Sequence, residues 1–362
     1  MSSTEEESKK RAKTGDNVLI SCRPVDDLHL HLRDGDIMQS LAQHIPPYVK
    51  RAIVMPNLVP PVINTDMALA YRERIMKALP AESDFQPLMT LYLTDNTTGD
   101  EIRKAKETGQ IFAVKLYPAG ATTNSDSGVT DISKCKGALE AMAEVGMPLL
   151  VHGEVTDSDV DFFERERVFI ERHMRTIVAN HPNLKVVMEH ITTAAAVEFV
   201  RSCGSNVAAT ITCQHLIHNR NAIFEKGLRP HKYCLPILKT EADRQALLSA
   251  IQSGSTKFFM GTDSAPHPRH RKEASCCSAG CYTMHASLEL YATVFRAAGC
   301  IQHLPAFVGE NGANFYGLKP NEGRVDIVQE PWSIPDSYPL GDTEVVPLNA
   351  GEEMSLRAKR QS

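Results

Sequence analysis

Apolar residues in this chain come in short, dense runs. They are "NVLISCR" leading into "DLHLH" (17–31), "RAIVMPN" (51–57), "PLMTLYL" (87–93) and "IFAVKLY" (111–117), then "PLLVHGE" (148–154), "LKVVMEH" (184–190), "VAATITCQH" (207–215) and "TKFFMGTDS" (256–264). Each is rich in branched side chains and too short for a stable helix, so each predicts a strand. Between them, apolar residues recur at spacings of three and four. Examples are "DMALAYRERIMKAL" (66–79), "SKCKGALEAMAEVG" (133–146), "DVDFFERERVFIERHMRTIVAN" (159–180) and "EADRQALLSAIQSG" (241–254). Those segments predict helices. Strand and helix alternating along the whole chain mark parallel βα units, and the nearly continuous apolar runs place the strands in a sheet buried on both faces. The pattern predicts a (β/α)8 TIM-type barrel, with a doubly wound open sheet as the alternative. There is no repeat with a period of 20–50 residues, which argues against a solenoid.

The pattern also sets expected boundaries. Residues 1–16, charged and polar, read as a disordered arm, and 17–318 as the barrel. Residues 319–362, with the Pro-rich "QEPWSIPDSYPLG", read as an extension packed on the barrel, its tail disordered.

Composition narrows the picture by exclusion. The formal net charge is −5 and 42% of residues are hydrophobic. No global basic field points to nucleic acid or an anionic membrane. The N-terminal "MSSTEEESKK" lacks the apolar stretch of a secretory signal and carries acids that transit peptides avoid. A cytoplasmic protein is expected, organellar only if a transit segment has been removed. Nine cysteines, an odd number spread through apolar runs, suit reduced thiols better than a disulfide framework. The cluster of Cys276, Cys277 and Cys281 has no second ligand cluster of the kind structural zinc sites use.

Candidate chemistry sits where the predicted strands end. The first run closes on His29, His31 and Arg33, the second on Asn57; Lys115 lies in the fourth, and later runs end in His152, His190 and Asp263. In a (β/α)8 barrel the C-terminal ends of the strands converge on one face, where active sites form. Residues i and i+2 of a strand share a face, so His29 and His31 would point together into the mouth. Each histidine alone could be an ordinary core residue; four at equivalent strand ends point to a divalent metal. Asp263 could complete the ligand set or carry a proton, or simply cap the following turn. Lys115 is the odd member, because an ammonium repels a cation. It would have to be neutral or become an anionic carbamate, or else be a core-edge lysine paired with an acid.

Seven stretches together resemble the dihydroorotases, specifically the short monofunctional class of the amidohydrolase superfamily. They are "DDLHLHLRDGD", "RAIVMPNLVPPV", "AVKLYPAGATTNSDSGV", "MPLLVHGEVT", "VVMEHITT", "YCLPILK" and "GTDSAPHPRHRKEAS", in order from about residue 17 to 350. The resemblance implies reversible cyclisation of N-carbamoyl-L-aspartate to L-dihydroorotate plus water, in pyrimidine biosynthesis. It implies two Zn2+ ions, one held by His29, His31 and Asp263, the other by His152 and His190. Lys115, as N6-carboxylysine, and a hydroxide would bridge them, with Asp263 as general acid and base. Arg33, Asn57 and His267 would bind the substrate carboxylate, and backbone groups of Leu235 and Ala279 would face the ring. Thr122 and Thr123 would reach the substrate from a mobile loop, 119–128. A homodimer is also implied.

Cys213, Cys277, Ser278 and Gly120 depart from the family pattern without removing a ligand. Two rival readings are a hydantoinase or dihydropyrimidinase, whose substrates lack the ring carboxylate that Arg33 and Asn57 would meet, and a catalytically silent barrel.

Overall fold

The computed structural model describes residues 17–361. The expectation for residues 1–16 lies outside them. Eight parallel strands form one sheet in chain order: β2 (Val25–Leu30), β3 (Val49–Val54), β4 (Gln86–Tyr92), β5 (Ile111–Leu116), β6 (Leu149–Val151), β7 (Val186–Met188), β8 (Val207–Ile211) and β9 (Phe258–Met260). The ring closes between first and last strands. Asp263 donates its backbone N–H to His29 O at 3.0 Å, and His31 to Ser264 O at 3.2 Å. The closure excludes the open doubly wound sheet.

Helices cross back over the outside, among them Gly35–Gln43, Thr65–Ala78, Gly99–Glu107, Lys136–Val145, Ala194–Ser202, Glu241–Gln252 and Ser287–Ala297. Several start on a side-chain cap: Asn64, Thr98, Thr193 and Thr240 each accept an N–H of the first turn. Leu28, Ile53, Leu88, Ala113, Leu150, Val187, Ala208 and Phe259 fill the barrel interior, and Phe315 and Tyr316 pack beneath them. The site at the opposite end therefore rests on a solid floor.

Two sequence expectations need correction. The run 17–31 is two strands, because Pro24 has no N–H to continue a ladder. Its first half, β1 (Val18–Cys22), leaves the barrel and pairs antiparallel with β10 (Val325–Ser333), which pairs in turn with β13 (Glu353–Arg360), the short strands β11 (Tyr338–Leu340) and β12 (Thr343–Val345) forming a hairpin between them in the chain. The C-terminal extension accordingly ends in a strand and not in a disordered tail. In β13, Met354 and Leu356 are buried while Glu353, Ser355 and Lys359 are exposed. That alternation is legible, but the charges obscure it. Buried Glu289 fastens this sheet to the barrel, accepting from Tyr48 Oη at 2.7 Å and from the Ala358 N–H at 3.1 Å. Among the described residues, no helix is long and apolar enough to cross a membrane.

Candidate metal centre

The pairing of β2 with β3 carries one irregularity that matters for the site. Asp27 opposes Ala52 and Leu30 opposes Val54, so three steps on β2 face two on β3. This bulge lets consecutive residues serve the interior: Leu28 fills the core while His29 joins the mouth above it. Asp27 stabilises the bulge, accepting the Thr262 N–H at 2.9 Å and its hydroxyl at 2.6 Å. At Gly261 a Cβ would fall 2.7 Å from Thr210 Cγ2 and 3.0 Å from His29 Cβ. Glycine leaves the room that Thr210 and the Cβ of His29 take up here.

Four imidazoles run side by side around the mouth. Ring centroids lie 5.3 Å apart for His31 and His29, 4.9 Å for His29 and His190, and 4.9 Å for His190 and His152. Asp263 Oδ1 is 3.1 Å from His31 Nε2 and 3.4 Å from His29 Nε2. Ligand atoms of His29, His31 and Asp263 all lie within 4.8 Å of one another, a spacing one ion can span. Burial lowers the pKa of His29, and that of His31 and His190 far more, so their rings are neutral and keep a lone pair for a metal. Burial also holds the Asp263 carboxyl above its ordinary range.

Carboxylates behind the rings decide which nitrogen is free. Glu189 Oε2 lies 2.7 Å from His29 Nδ1, and Glu154 Oε2 lies 2.8 Å from His152 Nε2. A carboxylate only accepts, so the facing nitrogens carry the protons and the lone pairs sit on His29 Nε2 and His152 Nδ1. Neither glutamate figured among the sequence candidates. Glu154 could have been found, since it follows His152 by two residues. Glu189 could not, because it precedes His190 by one and strand alternation would send it outward. His190 has φ +41°, beyond the end of β7, and alternation no longer applies there. Arg33 (φ +57°) and Asp263 (φ +46°) are left-handed too, so backbone strain collects at the site.

Lys115 lies on β5 and is fully buried, and its Nζ has no hydrogen-bond partner among the described residues. The paired-lysine alternative therefore fails. Burial brings its pKa down to about 8, and its Nζ lies 5.0 Å from the centroid of the Tyr117 ring. A buried amine without a hydrogen-bond partner beside four imidazoles is compatible with a cation there only when it is uncharged or converted to an anion. The residues present suit a metal centre.

Arg33, Asn57, Tyr117, Thr122, Thr123, Leu235 and Ala279 line the same small cavity as the four imidazoles and Asp263. His267 stands just behind. Its Nε2 lies 2.9 Å from Ala279 O and 3.2 Å from Arg33 Nη2. The carbonyl can only accept, so the Nε2 proton of His267 is spent on Ala279 O, and Arg33 is left as the charged donor of the cavity wall. A guanidinium there suits an anionic oxygen. Loop 119–128 lies over the mouth, where Asn57 Nδ2 donates to Thr123 O and Asn124 Nδ2 to Asn57 O, both at 3.0 Å. Cys276, Cys277 and Cys281 take no part in a metal cluster among the described residues.

The amidohydrolase family model matches residues 25–334. A dihydroorotase of Shewanella oneidensis is 59% identical over 341 residues, covering 94% of this chain and 99% of its own length. The chain belongs to the amidohydrolase family, among its dihydroorotases. A second such relative, from Psychromonas ingrahamii, is 57% identical and covers 91% of this chain and 96% of its own. Among solved structures, the dihydroorotase of Campylobacter jejuni superposes with a TM-score of 0.86 at 36% identity, covering 94% of this chain and 97% of its own. The Saccharomyces cerevisiae dihydroorotase, solved with 5-fluoroorotic acid, gives 0.87 at 30% identity, covering 94% and 99%. An L-hydantoinase from Arthrobacter aurescens, at 16% identity and a TM-score of 0.80, shares the fold. Dihydroorotases of this family are metal-dependent cyclic amide hydrolases, and the His29–His31–Asp263 cluster offers donors for such an ion.

Proposed function

We propose that this chain interconverts N-carbamoyl-L-aspartate and L-dihydroorotate, using two zinc ions. His29, His31 and Asp263 would hold one ion and His152 and His190 the other, with Lys115 between them as N6-carboxylysine. The carbamate forms when neutral Lys115 Nζ attacks carbon dioxide and gives up one proton. When bound, the two cations supply Lewis acidity toward the ring carbonyl and make water more acidic.

The chain's own residues do the rest. Arg33, with Asn57 and His267, binds the substrate carboxylate and so fixes the distant reacting carbon at the metal-binding side of the cavity. Backbone groups of Leu235 and Ala279 meet the ring. In hydrolysis a C–O bond forms and the ring C–N bond breaks. Asp263 receives the proton of the attacking water and delivers it to the departing amide nitrogen. In cyclisation Asp263 takes the proton from the carbamoyl nitrogen instead. Thr122 and Thr123 reach the substrate from loop 119–128, which excludes bulk water. The enzyme would act as a homodimer, which sedimentation can test.

One observation carries this reading: Arg33 and Asn57 line one small cavity together with the His29–His31–Asp263 cluster. A hydantoinase substrate would leave that pair unmatched. The test is interconversion of dihydroorotate and carbamoyl-aspartate by the purified protein, with metal measured on the same sample. Turnover with two zinc ions per chain is expected. Activity on dihydropyrimidines but not on dihydroorotate would overturn the substrate, and inactivity after zinc and bicarbonate would favour a silent barrel.

A further inference from the structure

The basic stretch "HPRHRK" (267–272) ends in a lysine that the site has not yet used. Lys272 is 3% exposed, and its Nζ donates to the carbonyls of Tyr233, Ser278 and Gly280, each at 2.8 Å. An ammonium has three protons, and all three are spent on backbone. Those carbonyls belong to two loops, one after β8 and one after β9. The loops carry Leu235 and Ala279, both in the cavity wall.

Ser278 and Gly280 bracket Ala279. With both flanking carbonyls turned onto Nζ, the carbonyl of Ala279 points elsewhere and meets His267 Nε2 at 2.9 Å. His267 in turn lies 3.2 Å from Arg33 Nη2. Gly280 makes the close approach possible: at φ +149°, a Cβ there would fall 2.3 Å from Ala265 O. Its N–H donates to Tyr233 O at 3.0 Å, so the two loops are joined directly as well as through Lys272.

We propose that Lys272 is a positioning residue for substrate recognition. It clamps the two ring-facing loops together and, through the carbonyl of Ala279, holds His267 beside Arg33. The inference rests on the proposed dihydroorotase reading and adds a residue that touches no substrate. A buried lysine whose whole donor capacity serves the backbone beside a binding cavity acts on binding geometry, and none of its three hydrogen bonds goes to Asp263.

The test is steady-state kinetics of Lys272→Met, which keeps the length of the side chain and removes its donors, with metal measured alongside. The KM for dihydroorotate should rise about tenfold or more, with kcat within threefold of native and metal content unchanged. An unchanged KM, or a loss confined to kcat, overturns the proposal. If Lys272→Met does not fold, Lys272→Arg decides. Its planar fork cannot meet three carbonyls around one nitrogen, so KM should rise at least threefold with kcat retained, and a native KM overturns the proposal. A native protein inactive on dihydroorotate would instead reject the functional reading beneath it.

Discussion

His29 Nδ1 lies 2.7 Å from Glu189 Oε2, a contact that joins β2 to the residue just past β7. Glu189 also accepts from the Thr210 hydroxyl at 2.6 Å, and Thr210 Oγ1 accepts the His190 N–H at 2.7 Å. One buried carboxylate thereby orients one ring directly and is linked to the backbone of a second. Glu189→Gln should weaken metal retention about tenfold, the low end for residues that orient a ligand. Competition with a chelator measures it, and native retention would show that Glu189 does not orient the site.

In the proposed mechanism Arg33 belongs to the anion pocket and not to the ligand set. Arg33→Ala should raise the KM for dihydroorotate by about 10–100-fold, the worth of a charge-assisted hydrogen bond, with metal content unchanged. Loss of metal from that variant would contradict the division of labour.

Asp263 is assigned the proton. Asp263→Asn keeps the shape and removes the basicity, so turnover in both directions should fall by about 10²–10⁴. A kcat within tenfold of native would remove Asp263 as the proton carrier.

The carbamate proposed on Lys115 would make metal loading depend on carbon dioxide. After metal removal and exhaustive degassing, zinc alone should leave the protein largely inactive, and zinc with bicarbonate should restore it. Lys115→Met should fail to recover under either condition. Full recovery of the native protein with zinc alone would exclude the carbamate.

At the other end of the barrel, Arg51 makes a bidentate pair with Asp26, at 2.8 and 2.6 Å, and donates to Lys319 O at 3.0 Å. Both side chains are buried. Arg51→Met would strand the Asp26 charge, costing about 3–5 kcal/mol in chemical denaturation. Losing both partners at once should cost less, and equal costs would show that the two do not act as a pair.

The order of apolar runs determined a parallel βα sheet, because a parallel sheet buried on both faces writes its strands as continuous hydrophobic stretches, whereas its closure into a barrel was decided between the first and last strands. It determined too that His29, His31, Lys115, His152, His190 and Asp263 come from strand ends, which the fold gathers whatever their separation along the chain. Tertiary structure alone decided what surrounds them. A bulge in β2 sets His29 directly above Leu28, and left-handed backbone at Arg33, His190 and Asp263 overrides the alternation that a strand pattern assumes. Glu189 reaches His29 from 160 residues away, and Lys272 reaches Tyr233 from 39. Contacts of that kind leave no periodic trace, because they depend on which strand ends stand side by side once the ring has closed. The same holds for β1, whose partner lies in the C-terminal segment: a strand announces its faces locally, but not its neighbour.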